Sequence, residues 1–255
     1  MDGLPLQEER LMHRFYADPG RSSGELAFLS AEDARHAATV LRLKQGNRIE
    51  IILDARRYDA EILSVSGSGI NARLLLPLPS TEPALKVTLF QGIPKADKMD
   101  FIVQKATELG VSRIVPVLMA RCVSRPDPKD MARKQERWRK IAREAGKQSG
   151  RCVIPEISDA VSLQRLIGLD SLPGTNVVPW EESSSFGPLA FREKYPALSS
   201  LGILIGPEGG IEQNEIASLQ SAGFIPLTLG KRILRTETAG LAALTSFMTL
   251  YGEME

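Results

Sequence analysis

The sequence predicts a mixed α/β protein in two parts, a small β-barrel-like domain followed by a larger domain built on a mostly parallel sheet. Three observations carry that expectation. Up to about residue 80 the chain runs in short apolar-alternating stretches bounded by Gly, Ser and Asp; "PLPSTEPA" (Pro77 to Ala84) then gathers three prolines; and from Leu85 strand-like and helix-like stretches alternate. Period-two alternation marks half-buried strands, and repeated strand–helix alternation marks a parallel sheet covered by helices. Proline continues neither a helix nor an inner strand, so the proline cluster reads as a linker. The expected domains are residues 1–78 and 84–255.

In chain order, "NRIEIIL" (Asn47 to Leu53), "RRYDAEILSVS" (Arg57 to Ser66) and "INARLLL" (Ile70 to Leu76) are the first strand candidates. One helical pattern, "AEDARHAATVLRL", precedes them, with Ser30 placed to cap it. After the linker come the strand "LKVTLFQGI", the helix "KADKMDFIVQKATELG" closed by Gly110, the strand "RIVPVL" and a long basic helix. Then follow the strand "CVIPEI", a short helix near Ser162 to Ile167, the strands "NVVPW" and "LGILIG", the helix "EQNEIASLQSAG", the strand "IPLTLG" and a last helix from about Glu237. No internal repeat or low-complexity segment is visible.

Composition narrows the function classes. With 43% hydrophobic and 25% charged residues in 255, the chain has the make-up of a globular protein rather than a disordered one. No apolar run reaches the roughly 18 residues of a membrane helix. The N-terminal "MDGLPLQEERLMHRF" carries acidic residues where a signal peptide has basic and then apolar ones, so a cytoplasmic protein is expected. Cys122 and Cys152 lack CxxC spacing, so neither a disulfide framework nor a metal site is expected. Net charge is only +1, but it is unevenly spread. Residues 121–151 hold eleven Lys and Arg against four Asp and Glu, whereas residues 152–255 hold six against twelve. Such a basic block fits a polyanion such as RNA, or simply the wet side of an amphipathic helix in which Met131, Trp138, Ile141 and Ala145 form the apolar side.

Ligands of parallel sheets bind at the carboxyl ends of strands, which directs attention to the loops after "NVVPW", "LGILIG" and "IPLTLG". In "GPEGG" (Gly206 to Gly210) the glycines admit positive φ and close approach to backbone groups, and a side chain placed at Gly209 is expected to fill the pocket. The spacing matches neither G-x-G-x-x-G nor the P-loop, which points away from a phosphate cradle and toward a ligand held by backbone hydrogen bonds, such as an adenosine without phosphate. A plain turn remains the alternative. In "LGKRILRTETA" (Leu229 to Ala239), Thr236 can cap the final helix with Glu237 in its first turn, while Arg235 offers a guanidinium beside the glycine loop.

The pair "LIGPEGG" and "LGKRILRTETA" resembles the two C-terminal signatures of the bacterial methyltransferases that act on uridine N3 in small-subunit (16S) ribosomal RNA, a family of the SPOUT superfamily. "HRFY", "HAATVLRLKQGN", "KADKMDFIVQKATELGV" and "EAGKQSGR" resemble its other blocks, so the likeness spans the chain. It implies a PUA-like RNA-binding β-barrel, a SPOUT domain with a C-terminal trefoil knot, a homodimer, S-adenosylmethionine as cofactor and ribosomal RNA or the 30S subunit as partner. Ile205, Gly206, Pro207, Gly209, Leu229, Gly230, Ile233, Leu234 and Thr238 would hold the cofactor, with Trp180 and Glu181 on a third loop of the same pocket.

The implied reaction is in-line methyl transfer from a sulfonium to a ring nitrogen, for which the protein must align the reactants, exclude water and let the N3 proton leave. Arg235 is the candidate to stabilise negative charge on the base, and Glu208 or Glu237 to accept or position the proton. His13 and His36, the only histidines, read as structural or RNA-contacting. N3 lies on the Watson–Crick edge, so the target must be unstacked or single-stranded. The expected RNA track is Arg14, Arg42, Lys95, Lys98, Arg137, Arg139, Lys140, Arg143 and Arg151. A ribose 2′-O RNA methyltransferase and a non-catalytic ribosomal-RNA assembly factor are the competing readings.

Overall fold

The computed structural model describes residues 12–169 and 171–254. The acidic stretch at positions 1–11 therefore lies outside the described residues. The chain divides after Thr81 into two compact units.

The first unit is a five-stranded sheet. Its strands are β1 (Arg14–Tyr16), β2 (Leu26–Leu29), β3 (Arg48–Leu53), β4 (Arg56–Ser66) and β5 (Gly69–Leu78), in the order β1-β3-β4-β5-β2. β1 runs parallel to β3, and the other pairs are antiparallel. Just beyond β1, Ala17 N–H donates to Ile52 while Asp18 N–H donates to Phe28, so the chain there links β3 to the opposite edge strand. One helix, α1 (Ala31–Thr39), buries Ala34 and Ala37 against a core of Phe15, Leu29, Ile49, Ile51, Ile62 and Ile70. Ser30 caps it by accepting from Asp33 N–H at 3.1 Å. The helix ends earlier than its pattern predicts, because the N–H groups of Leu41 and Leu43 turn back onto the carbonyls of His36 and Ala37.

β1 and β2 are absent from the sequence expectation. Each is only three or four residues long, too short for an alternation to register, and both form because longer strands offer them partners. The boundary between the two units falls within the proline cluster, after Thr81, and only the start of the cluster is strand. Pro77 and Leu78 complete β5, and Ala84 and Leu85 donate from their backbone N–H groups to the Glu253 carboxylate at 2.9 and 2.7 Å. The segment is anchored at both ends.

The second unit contains a parallel sheet: β6 (Lys86–Gly92), β7 (Arg113–Leu118), β8 (Glu156–Ile157), β9 (Val161–Ser162), β10 (Asn176–Pro179), β11 (Ser200–Ile205) and β12 (Phe224–Leu227). The order is β12-β10-β11-β6-β7-β8, with β9 also on β7. Its helices are α2 (Lys98–Glu108), α3 (Pro128–Ser149), α4 (Leu163–Ile167), α5 (Pro188–Lys194), α6 (Gln213–Ser221) and α7 (Thr236–Leu250). α7 packs on β6, β11, α2 and α5, and α3 packs on α2. The 3.6-residue period of α3 buries Met131, Gln135, Trp138, Ala142 and Ala145 and turns its basic residues outward. Of the strand expected in "CVIPEI" only Glu156 and Ile157 pair, because Cys152 and Val153 spend their N–H groups on the Glu82 carboxylate instead. Among the described residues no helix is long and apolar enough to cross a membrane.

Candidate active site

Parallel strands deliver their following loops to one edge of the sheet, and three of these loops meet. Pro179 ends β10 and Trp180 and Glu181 follow it; Gly206, Pro207, Glu208, Gly210 and Ile211 follow β11; Leu229 to Arg235 follow β12. Together with Lys98, Thr236 and Ala239 they enclose a cleft of about 410 Å³, continuous through Trp180, Glu181, Ile233 and Leu234 with a smaller hollow of about 130 Å³ beside Leu229 and Gly230. A hollow of about 520 Å³ lies elsewhere and one of about 530 Å³ on the other side of Leu229 and Gly230, but neither holds the glycine loop. Neighbourhood rather than size singles out the cleft.

The glycine loop is pinned from below. Thr236 Oγ1 donates to the Gly206 carbonyl at 2.6 Å and accepts from Gln91 Nε2 at 2.9 Å, with both side chains buried. Thr236 is thus the first helical residue and Arg235 occupies the cap position, which corrects the expectation that Thr236 caps α7. Its hydroxyl joins the β6 end, the glycine loop and α7 in one hydrogen-bonded chain. Gly210 has φ +75°, and a Cβ there would stand 3.4 Å from the Glu181 carboxylate across the cleft. Gly209 faces the other way. A Cβ on it would come within 2.8 Å of Arg121 Cβ, and Arg121 Nη1 donates to its carbonyl at 3.0 Å, so a side chain at Gly209 collides with Arg121 instead of filling the cleft.

The catalytic candidates are brought together. Lys98 Nζ lies 3.0 Å from Glu208 Oε1 and 3.1 Å from Glu237 Oε2. Glu208 also accepts from Lys95 N–H at 3.1 Å. Burial alone would raise the Glu208 pKa, but Lys98 and these backbone N–H bonds outweigh it and hold the carboxyl below its ordinary value. The same contacts raise Lys98 above the usual lysine range. Glu208 is therefore a firmly ionised group and a weak proton acceptor. Arg235 lines the cleft and is exposed, and its guanidinium makes no hydrogen bond or ion pair within the described residues, leaving its planar fork available to a ligand. Ile233 stands 86% exposed at the rim.

Most predicted cofactor residues, Trp180, Glu181, Ile205, Gly206, Pro207, Leu229, Gly230, Ile233 and Leu234, line the cleft or its extension. Thr238 does not; it lies on another side of α7, in an apolar groove with Phe101 and Leu241. Sequence reasoning missed Pro179, Gly210, Ile211 and Ala239. Ala239, one turn beyond Arg235, was legible from helical spacing.

The predicted RNA track divides. Arg42, Lys95, Lys140 and Arg143 are exposed; so are Arg137 and Arg139, which pair at the surface with Asp100 and Asp159. Arg14 is half-buried and shares Glu50 with Arg57. Two assignments fail. Arg151 is 4% exposed, its guanidinium bonded to Glu82 at 2.7 Å and to the Thr107 and Val111 carbonyls, so it cannot reach a phosphate. Lys98 belongs to the cleft. A lysine in the first turn of a helix opposes the helix dipole unless carboxylates offset it, and that oddity was the signal for Lys98. Among the described residues no cluster of His, Cys, Asp and Glu could hold a metal ion.

Comparison with known proteins gives this cleft its context. Residues 81–248 match the RNA methyltransferase domain family and residues 29–75 match the RNA methyltransferase PUA domain family. The chain is 37% identical to the ribosomal RNA small subunit methyltransferase E of Bacillus subtilis, over 86% of this chain and 88% of that protein. It superposes on the Neisseria gonorrhoeae ribosomal RNA small subunit methyltransferase E, solved bound to S-adenosylmethionine, with a TM-score of 0.80 and 32% identity, covering 96% and 100% of the two chains. A Legionella pneumophila methyltransferase in complex with the same cofactor gives 0.78 and 32%, covering 93% and 97%. The chain belongs to the ribosomal RNA small subunit methyltransferase E family of RNA methyltransferases.

Proposed function

We propose that this chain, an S-adenosylmethionine-dependent methyltransferase of small-subunit ribosomal RNA, methylates N3 of one uridine in the 16S molecule. The observation that carries this reading is the convergence of an uncommitted guanidinium, Arg235, with a glycine-lined cleft at the carboxyl ends of β10, β11 and β12. The cleft fits the cofactor: its lining joins apolar residues and glycines to a few charged side chains, and Gly210, at φ +75°, keeps the loop backbone open opposite Glu181. The Gly206 to Gly210 backbone and the Leu229 to Leu234 loop hold it, with Trp180 and Glu181 opposite. When bound, S-adenosylmethionine supplies a methyl group on a sulfonium that is already a good leaving group.

The remaining work falls to the side chains. Arg235 offsets the negative charge that develops on the uracil oxygens as N3 gives up its proton and bonds to the methyl carbon. Glu208, firmly ionised, serves as positioner and leaves Glu237 to accept the N3 proton. Ile233 closes the rim against water. Residues 1–78 act as the RNA-binding domain and 84–255 as the methyltransferase domain, with Arg42, Lys95, Arg137, Arg139, Lys140 and Arg143 holding phosphates in the cytoplasm, where ribosomal RNA is found. In the same reading the C-terminal segment is knotted. The functional unit is a homodimer, supported by the apolar groove in which Leu189 and Phe101 are 65% and 47% exposed.

The test is incubation of purified protein with labelled S-adenosylmethionine and either free 16S RNA or 30S subunits, followed by nucleoside analysis. N3-methyluridine is the expected product. A 2′-O-methyl nucleoside, or no transfer to either substrate despite cofactor binding, overturns the reading.

A further inference from the structure

Lys98 touches both acidic residues of the cleft. It opens α2, Glu208 belongs to the glycine loop, and Glu237 sits in the first turn of α7, so one ammonium group joins three elements of the site. Both carboxylates lie within ion-pair distance of its ammonium group. Its own helix supplies no competitor, because Asp97 and Asp100 face Arg137 instead. Across the cleft the charged groups are Arg235 and Glu181. Without Lys98, two carboxylates that now approach one nitrogen within 3.1 Å would face each other uncompensated.

We propose that Lys98 is a positioning residue, which holds the Glu208 and Glu237 carboxylates in place and thereby sets the form of the glycine loop and the start of α7. This rests on the function proposed above. The charge arithmetic gives it direction: one cation and two carboxylates leave a cluster of net charge −1 beside a site meant for a cationic sulfonium. With the lysine removed, Glu208 loses the cation that favours its charged form, and its carboxyl should be protonated at higher pH. Arginine in its place preserves the charge and can bond both groups at once.

The test compares wild type, Lys98→Met and Lys98→Arg by two readouts. The first is the pH profile of methyl transfer. In Lys98→Met the acid limb is expected to move up by about one unit, so that transfer on that limb falls up to about tenfold while transfer at pH 8 changes little, and Lys98→Arg should restore the profile. The second is carbon-13 NMR of the Glu208 carboxyl, which should titrate at higher pH in Lys98→Met than in wild type. The NMR readout decides the inference even if the wild type transfers no methyl group to ribosomal RNA, an outcome that would overturn the proposed function alone. Glu208 titrating alike in wild type and Lys98→Met, or a uniform rate loss with no shift of the acid limb, overturns the role of Lys98.

Discussion

Glu82 and Glu208 are both carboxylates that accept from backbone N–H groups and from one basic side chain, yet they sit in opposite settings. Glu82 and Arg151 have side chains 9% and 5% exposed, and every donor around them comes from the protein. Glu208 and Lys98 are 23% and 30% exposed and line a cleft. In the first region the ion pair closes the junction between the chain before β6 and the end of α3. In the second it leaves a charged surface facing a space a ligand can enter. Ion pairs of similar geometry thus serve architecture or chemistry according to how completely the protein surrounds them.

The sharpest way to break this comparison is Arg151→Met. It strands a buried carboxylate and should cost about 3–5 kcal/mol of stability, read as a lower midpoint in chemical unfolding, with cofactor binding by the folded fraction unchanged. Burial alone would raise the Glu82 pKa, but Arg151 and the N–H groups of Val153 and Cys152 hold it below its ordinary 4.5. Its contribution is therefore complete above pH 4.5 and is lost as pH falls through the lower folded value. In Glu82→Gln that part of the acid dependence of stability should vanish.

Next in size is Arg235→Ala in the cleft, expected to lower kcat about 10²–10³-fold through loss of charge stabilisation, with S-adenosylmethionine affinity nearly unchanged in calorimetry. An unaltered rate in a folded variant would remove Arg235 from the mechanism.

Thr236→Val probes the boundary between the two behaviours, since this hydroxyl is buried like Arg151 yet shapes the cleft. It should cost about 1–3 kcal/mol in thermal unfolding, because the Gly206 carbonyl and the Gln91 amide each lose a partner, and cofactor binding should weaken as well. Binding at full strength would show that the glycine loop holds its form unaided.

The smallest effect is expected on the surface. Lys140→Glu with Arg143→Glu should leave stability within about 0.5 kcal/mol and flatten the salt dependence of RNA binding by about two in slope. An unchanged slope would take RNA off this face of α3.

What the sequence determined by itself was whatever its local pattern could specify. The β6, β10, β11 and β12 strands, the Ser30 cap, the amphipathic α3 and the three loops at the carboxyl ends all follow from residues within a few positions of one another. Most of the cleft was legible for the same reason, because each loop announces itself after its strand. What only the tertiary structure decided are partnerships across the chain. Arg151 meets Glu82 at a separation of 69 residues, and Thr236 meets Gln91 at 145. These pairings turned an expected phosphate ligand into a core residue, and an expected helix cap into the support of the glycine loop. Lys98 moved from the RNA track into the cleft, and Gly209 turned from the cleft toward Arg121. A charged side chain carries no mark in the sequence of which distant partner will surround it, and burial by that partner fixes whether its charge is spent inside the protein or offered to a ligand.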